Sequence, residues 1–104
     1  MSIGTKLIEQ ERIRQTKIGF DEKHDDTHVN CELILAAICY ATIPMVLNEG
    51  IELKQIQGLP KSWPWELMWW RPSENPIENL VKAGALIAAE IDRLARATET
   101  KAVY

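Results

Sequence analysis

The chain has little of what directs a protein to a membrane, to nucleic acid or into a secretory pathway. Its longest strongly apolar stretch, residues 33–47, contains Pro44 and is too short to span a bilayer. The opening residues, MSIGTKLIEQER, lack the apolar core of a secretory signal, so a cytoplasmic location is expected. The formal net charge of −3 gives no broad basic surface for nucleic acid. Internal repeats and low-complexity tracts are also missing.

Cysteine is scarce as well. Cys31 and Cys39 are eight residues apart, which on one helix separates their Cα atoms by about 12 Å. That separation is too large for a disulfide, so two reduced, buried thiols are expected. What the chain does contain is 46% hydrophobic and 26% charged residues over 104 positions, which is typical of a single soluble globular domain spanning 1–104.

Apolar spacing predicts an all-α fold, a small three-helix domain. The first helix is expected over about residues 2–17, ended by Gly19, with its charged residues on the solvent face and without a functional role. The second is expected to begin at Asp25 or Asp26, either of which can act as N-cap, and to break near Pro44. The predicted apolar stripe of the first helix consists of Ile3, Leu7, Ile8, Ile13 and Ile18. The charged residues on its solvent face are Glu9, Glu11, Arg12 and Arg14.

The third helix has the clearest start signal in the chain. Asn75 is a good N-cap, Pro76 suits the first helical position, and Glu78 can act as a capping-box acid. The helix is expected to end near Ala97, leaving residues 98–104 as a flexible tail. Its small residues would let a neighbouring helix approach closely. The predicted buried stripe consists of Leu80, Ala83, Gly84, Ile87, Ile91 and Leu94.

An irregular Trp- and Pro-rich segment, residues 45–73, separates the second and third helices. Four tryptophans fall within eight positions of it, at 63, 65, 69 and 70. They either pack the segment onto the core, or Trp69 and Trp70 stack on a ligand or partner while Arg71 binds a phosphate. Lys82, early in the third helix, also has two interpretations. It forms an ion pair with Glu78, or it provides a positive charge for the ligand.

The residues before the second helix carry the other candidate site. His24, His28 and Glu32 recur at intervals of four and would share one face if the helix continued back to residue 24, which is a possible set of ligands for a divalent metal. The zinc-protease motif is absent, because the position after His24 holds Asp25 and not glutamate. Alternatively, Asp25 and Asp26 only cap the helix, or the whole cluster contacts an anionic ligand.

The segments ERIRQ, GF, HDDTH, CELILAA with Tyr40, WPW, WWRP and NLVKAGALIAAEIDRL together resemble a family of short phage and prophage proteins, over roughly residues 9–96. Phe20, Cys31 and Arg71 stand where that pattern leads us to expect Trp, Gly and Lys. The resemblance implies a small accessory protein in the host cytoplasm and no particular mechanism. A weaker similarity to the all-helical nucleoside-triphosphate pyrophosphohydrolases fails at their acidic motifs, because Leu35 and Arg93 replace the second acids.

Three functions remain open. The first is a binding protein, and not an enzyme, that captures a small anionic, nucleotide-like ligand, as in counter-defence. Such a small domain is expected to build its pocket as a homo-oligomer. The second is a divalent-metal-dependent nucleotide hydrolase, and the third is an inhibitor that binds a host protein through its Trp-rich surface. The ligand-binding residues predicted for the first are His24, Asp25, Asp26, His28, Glu32, Trp69, Trp70, Arg71 and Lys82.

Overall fold

The computed structural model of the chain describes residues 2–56 and 58–101. Within these ranges the fold is all-helical, with three long helices and one short one, and without strands. The helices are α1 (Ile3–Lys17), α2 (Glu22–Asp25), α3 (Glu32–Asn48) and α4 (Pro76–Lys101). None of the described helices has the length and apolar character needed to cross a membrane. The expected all-α class, with an irregular segment before the last helix, is confirmed.

Helix α1 begins as predicted and packs against α4. The Ser2 hydroxyl accepts a hydrogen bond from the Thr5 backbone N–H, which caps the helix. Ile8 lies against Gly84, where an added Cβ would come within 2.5 Å of the Ile8 Cδ1 atom. Glycine therefore lets α1 approach α4 closely. The predicted apolar stripe of α1 is wrong in part, because Ile3, Ile13 and Ile18 are exposed.

The predicted start of the second helix at Asp25 or Asp26 is wrong. Asp21 caps the short helix α2 by accepting from the His24 backbone N–H, so Asp25 lies at the end of that helix. Helix α3 begins only at Glu32. Its N-cap residue, Cys31, has a φ of +65°, in the left-handed region that favours glycine.

Helix α3 does not break at Pro44. It continues to Asn48, although proline removes one helical hydrogen-bond donor. Burial of Ile43 and the residues before it offsets this loss. Cys39 is buried and reduced as expected, whereas Cys31 is reduced but exposed, because it lies in the turn before α3.

Helix α4 starts as predicted and runs further than predicted. The Asn75 side chain accepts from the Ile77 backbone N–H, and Pro76 is the first helical residue. The helix continues through residues 98–101, which were expected to be a tail, while residues 102–104 lie outside the described residues. The buried Asn79 side chain bonds both the N–H and the carbonyl of Ser73, which fixes the preceding loop on the helix.

The buried face of α4 differs from the predicted stripe. The small side chains Ala83, Ala85 and Ala89 are buried, because they let the neighbouring helices pack closely. Four of the six predicted residues remain between 45% and 60% exposed: Leu80, Ile87, Ile91 and Leu94.

The core joins α3, α4 and the irregular segment. Tyr40 and Trp63 lie at its centre with small residues of both helices, and Trp70 packs against them. The irregular segment contains two short 3₁₀ turns, Leu53–Gln55 and Leu67–Trp69. Packing is therefore the confirmed role of Trp63 and Trp70.

Candidate functional site

A pocket of about 640 Å³ opens where the end of α1, helix α2 and the irregular segment face α3 and α4. Its volume lies within the range of pockets that hold small molecules and cofactors. The pocket is formed by one chain, whereas the sequence led us to expect a pocket between copies. Its lining divides into a wall of aromatic rings, a group of charged side chains and a buried histidine.

The aromatic wall is a continuous series of ring contacts. It runs from Trp69 to Phe20, His24, His28 and Trp65, with successive centroid separations of 5.5, 5.0, 4.8 and 5.0 Å. Each of these rings also lines the pocket. They come from three places in the sequence: the turn after α1, the residues around α2 and the Trp-rich segment. A planar aromatic group entering the pocket would therefore meet ring faces and edges along one side.

The ring contacts continue from the wall into the core, and the Tyr40 hydroxyl connects the core back to the backbone beside the wall. Trp65 contacts Trp63, and Trp63 contacts Tyr40. The Tyr40 hydroxyl donates to the Trp69 carbonyl at 3.3 Å and accepts from the Arg71 backbone N–H at 3.1 Å. Burial raises the pKa of Tyr40, so the hydroxyl keeps its proton at neutral pH. One residue of the central helix thus fixes the backbone on either side of Trp70.

Lys82 adds a cation to the lining of the pocket. Its Nζ atom donates to the Arg71 carbonyl at 2.5 Å and lies 5.4 Å from the centre of the Tyr40 ring. Burial lowers the pKa of Lys82, and the nearby carboxylates of Glu11 and Glu78 oppose that shift. Glu78 bonds the Ser73 hydroxyl, so the ion pair predicted between Glu78 and Lys82 does not form in this structure.

Helix α1 adds an ion pair to the lining. Arg14 donates to both carboxylate oxygens of Glu11, at 2.7 and 2.8 Å. These hydrogen bonds are the main reason that the pKa of Glu11 is lowered. Glu11, Arg12 and Arg14, for which the sequence predicts no functional role, all line the pocket.

The Arg12–Asp25 pair joins α1 to α2 at the base of the pocket. Asp25 is 2% exposed, and its carboxylate lies 3.2 Å from the Arg12 guanidinium. Burial raises the pKa of Asp25, while the charge and hydrogen bond of Arg12 oppose the shift. The raised pKa indicates that the cost of desolvating the Asp25 carboxylate outweighs its attraction to Arg12, as is common for buried ion pairs.

His28 holds the one buried side-chain polar atom without a hydrogen-bond partner among the described residues, its Nε2. The other ring nitrogen, Nδ1, lies 3.5 Å from the Glu32 carboxylate. A proton on Nδ1 is favoured by that carboxylate, which leaves Nε2 as an acceptor. An unsatisfied buried acceptor costs about 1–3 kcal/mol, and a ligand N–H or O–H would remove this cost.

The structure brings six of the nine predicted ligand residues to the pocket: His24, Asp25, His28, Trp69, Arg71 and Lys82. The other three do not line it. Asp26 accepts a hydrogen bond from Arg96 at 2.7 Å. The Glu32 carboxylate lies 3.5 Å from the Nδ1 atom of His28. Trp70 packs between Tyr40 and Trp63.

The predicted metal site is not formed. His24, His28 and Glu32 do not share one helix, because α3 begins at Glu32. In the part of the chain that the structure describes, no group of three or more His, Cys, Asp or Glu side chains is placed to hold a metal ion.

Comparison with protein-family models, with curated protein sequences and with solved structures finds no match for this chain. What the site can do must therefore be argued from its geometry.

Proposed function

We propose that the protein binds a small aromatic anion of nucleotide-like chemistry in this pocket. The observation that carries the proposal is the combination, in one pocket, of a continuous aromatic wall and the half-buried cation of Lys82. Ring stacking contributes about 1–3 kcal/mol per base in nucleic-acid-binding proteins and tolerates any base. A phosphate near Lys82, with Arg71 and Arg14 beside it, would receive charge-assisted hydrogen bonds.

The charge of the lining limits the ligand to a modest negative charge. Four cationic side chains face three carboxylates, and two of the carboxylates, Glu11 and Asp25, are already paired with arginine. This lining suits a nucleoside monophosphate or a phosphodiester better than a triphosphate. The free acceptor of His28 would take a hydrogen bond from a base or ribose donor.

Capture is proposed, and not turnover, because of what the pocket carboxylates contact. Arg14 holds Glu11 and Arg12 holds Asp25, so two of the three carboxylates that line the pocket, with Glu66 as the third, are already engaged and are poor bases for activating a water molecule. A metal-dependent nucleotide hydrolase consequently has less support. The resemblance to phage and prophage proteins suggests the setting, in which a cytoplasmic accessory protein would sequester a nucleotide signal of host defence.

An inhibitor of a host protein is the second candidate. One observation favours it: the 3₁₀ turn at the rim exposes Leu67, Met68 and Trp69 side by side. Contiguous exposed apolar side chains are typical of protein-binding surfaces.

The test starts with mass spectrometry of small molecules released from the denatured, purified protein, followed by calorimetry with adenosine, AMP and ribose 5-phosphate. AMP should bind more tightly than either fragment, because only AMP offers both a ring and an anion. Product analysis after incubation should recover AMP unchanged. If none of the three compounds binds and nothing co-purifies, the proposal fails and the inhibitor is favoured.

Variants then assign the contacts. Trp69→Ala and Lys82→Ala should each weaken AMP binding about tenfold or more, given the energies of stacking and of charged hydrogen bonds. His28→Phe keeps a ring in the wall and removes the free acceptor. Lys54→Ala, at an exposed lysine outside the pocket, is the matched control and should leave affinity unchanged. Equal effects of the Lys82 and Lys54 substitutions would contradict the assignment.

A further inference from the structure

Helix α4 carries a row of apolar side chains that its own chain covers only in part. The α4 stripe, as we define it, consists of Leu80, Ile87, Ile91 and Leu94, which are 45–60% exposed. Their spacing of seven, four and three residues places them along one side of the helix. The residues of α4 that line the pocket, Lys82, Leu86 and Ala89, lie on the far side of the helix.

The chain as a whole exposes more surface than a compact monomer of its mass. The accessible surface of the chain is 7180 Å². A folded monomer of 11.9 kDa has about 6,000 Å², so the excess is about 1,200 Å². The radius of gyration, 14.7 Å, also exceeds the value of about 13 Å expected for this length. A stable dimer buries about 800 Å² on each partner, which is less than the excess surface of the whole chain.

We propose that the α4 stripe is the interface between two copies of this chain, with the two α4 helices antiparallel about a twofold axis at Ile87. A twofold interface must be complementary to itself. Leu80 and Leu94 lie seven residues on either side of Ile87, so each Leu80 would meet the partner's Leu94. No charged side chain lies between Leu80 and Ile87 on this side of the helix, where Gly84 is in contact with Ile8 of α1.

The direct test is the mass in solution by sedimentation and light scattering. Wild type should have twice the chain mass of 11.9 kDa, and Ile87→Glu should have the chain mass, because a charge at the axis would be buried against its own copy. Met45→Glu is the matched control, since Met45 is 63% exposed on α3 and outside the stripe. It should remain a dimer, and circular dichroism should show both variants folded.

A crosslink checks the axis independently of stability. In a Cys31→Ser background, which removes the exposed native thiol, Ile87→Cys should form a disulfide-linked dimer on oxidation. Met45→Cys in the same background should not. The proposal is overturned if wild type is a monomer at every concentration tested, or if Met45→Glu dissociates the dimer while Ile87→Glu does not. It is also overturned if Ile87→Cys crosslinks no faster than Met45→Cys. None of these outcomes depends on ligand binding.

Discussion

Lys82 is held by two neutral groups, the Arg71 carbonyl and the Tyr40 ring. Neither group carries a full negative charge, so neither neutralises the ammonium ion. Its burial is reflected in the lowered pKa. A ligand anion would add to the counter-charge of the nearby Glu11 and Glu78 carboxylates, and this would favour the protonated form of Lys82.

Anion binding should therefore depend on pH through Lys82. Lysine carries its charge below its pKa, so affinity for AMP should fall as pH rises through the lowered pKa of Lys82. Lys82→Arg keeps its charge at every accessible pH and should give a flatter profile above pH 7. Calorimetry from neutral to alkaline pH measures the difference, with Lys54→Arg as control. The same slope in Lys82→Arg and wild type would show that another group causes it.

The residues that line the candidate pocket could be predicted only in part from the sequence. His24, His28 and Lys82 drew notice because they are polar or charged where capping or burial does not require it. Arg12, Arg14 and Phe20 were missed, since the solvent face of an amphipathic helix gives no sign that a pocket lies against it. The contact between Arg12 and Asp25, thirteen residues later in the sequence, joins this face of α1 to α2 at the pocket.

At the level of elements, the turn between α2 and α3 contains a conformation that its sequence does not favour. Cys31 is the one described residue other than glycine with positive φ. For such a residue the left-handed region costs about 1–2 kcal/mol.

Cys31→Gly should consequently be more stable than Cys31→Ala by roughly 1 kcal/mol, after allowance for the greater freedom of glycine in the unfolded chain. Both substitutions remove the thiol, so chemical denaturation of the pair isolates the backbone effect. Ala41, within α3, provides the control with opposite sign, because Ala41→Gly should be destabilising by about 1 kcal/mol. A Cys31→Ala variant as stable as Cys31→Gly would show that the turn adopts another conformation.

The prediction of helices succeeded where one signal was unambiguous. Asn75 and Pro76 marked the start of α4 correctly. The start of α3 was mispredicted because Asp21, Asp25 and Asp26 can all cap a helix, and distant arginines decide among them: Arg12 binds Asp25 and Arg96 binds Asp26. The buried face of α4 was mispredicted because helical spacing alone does not distinguish an apolar face that is buried within the chain from one that is exposed to solvent.

At the level of the whole molecule, α4 separates the two proposed sites. The pocket and the α4 stripe lie on different sides of the same helix and share no residue. Association through the stripe would leave both pockets of a dimer open to solvent.

Ligand binding and association should therefore be independent. Lys82→Ala should remain a dimer, and Ile87→Glu should bind AMP within about twofold of wild type, because substitutions at separated sites rarely couple. Sedimentation of the first variant and calorimetry of the second test both statements. A large loss of AMP affinity in a folded Ile87→Glu monomer would instead mean that the dimer completes the pocket.

The Tyr40 hydroxyl has a further consequence for how quickly a ligand would enter. It anchors the backbone of Trp69 and Arg71 at once, so a stacking ring and a neighbouring cation are held by the same two hydrogen bonds. The segment that carries them is thus ordered when the chain folds, and little conformational freedom is left to lose on binding. Ligand capture should then proceed as a single, concentration-dependent step, without a slower rearrangement after the encounter.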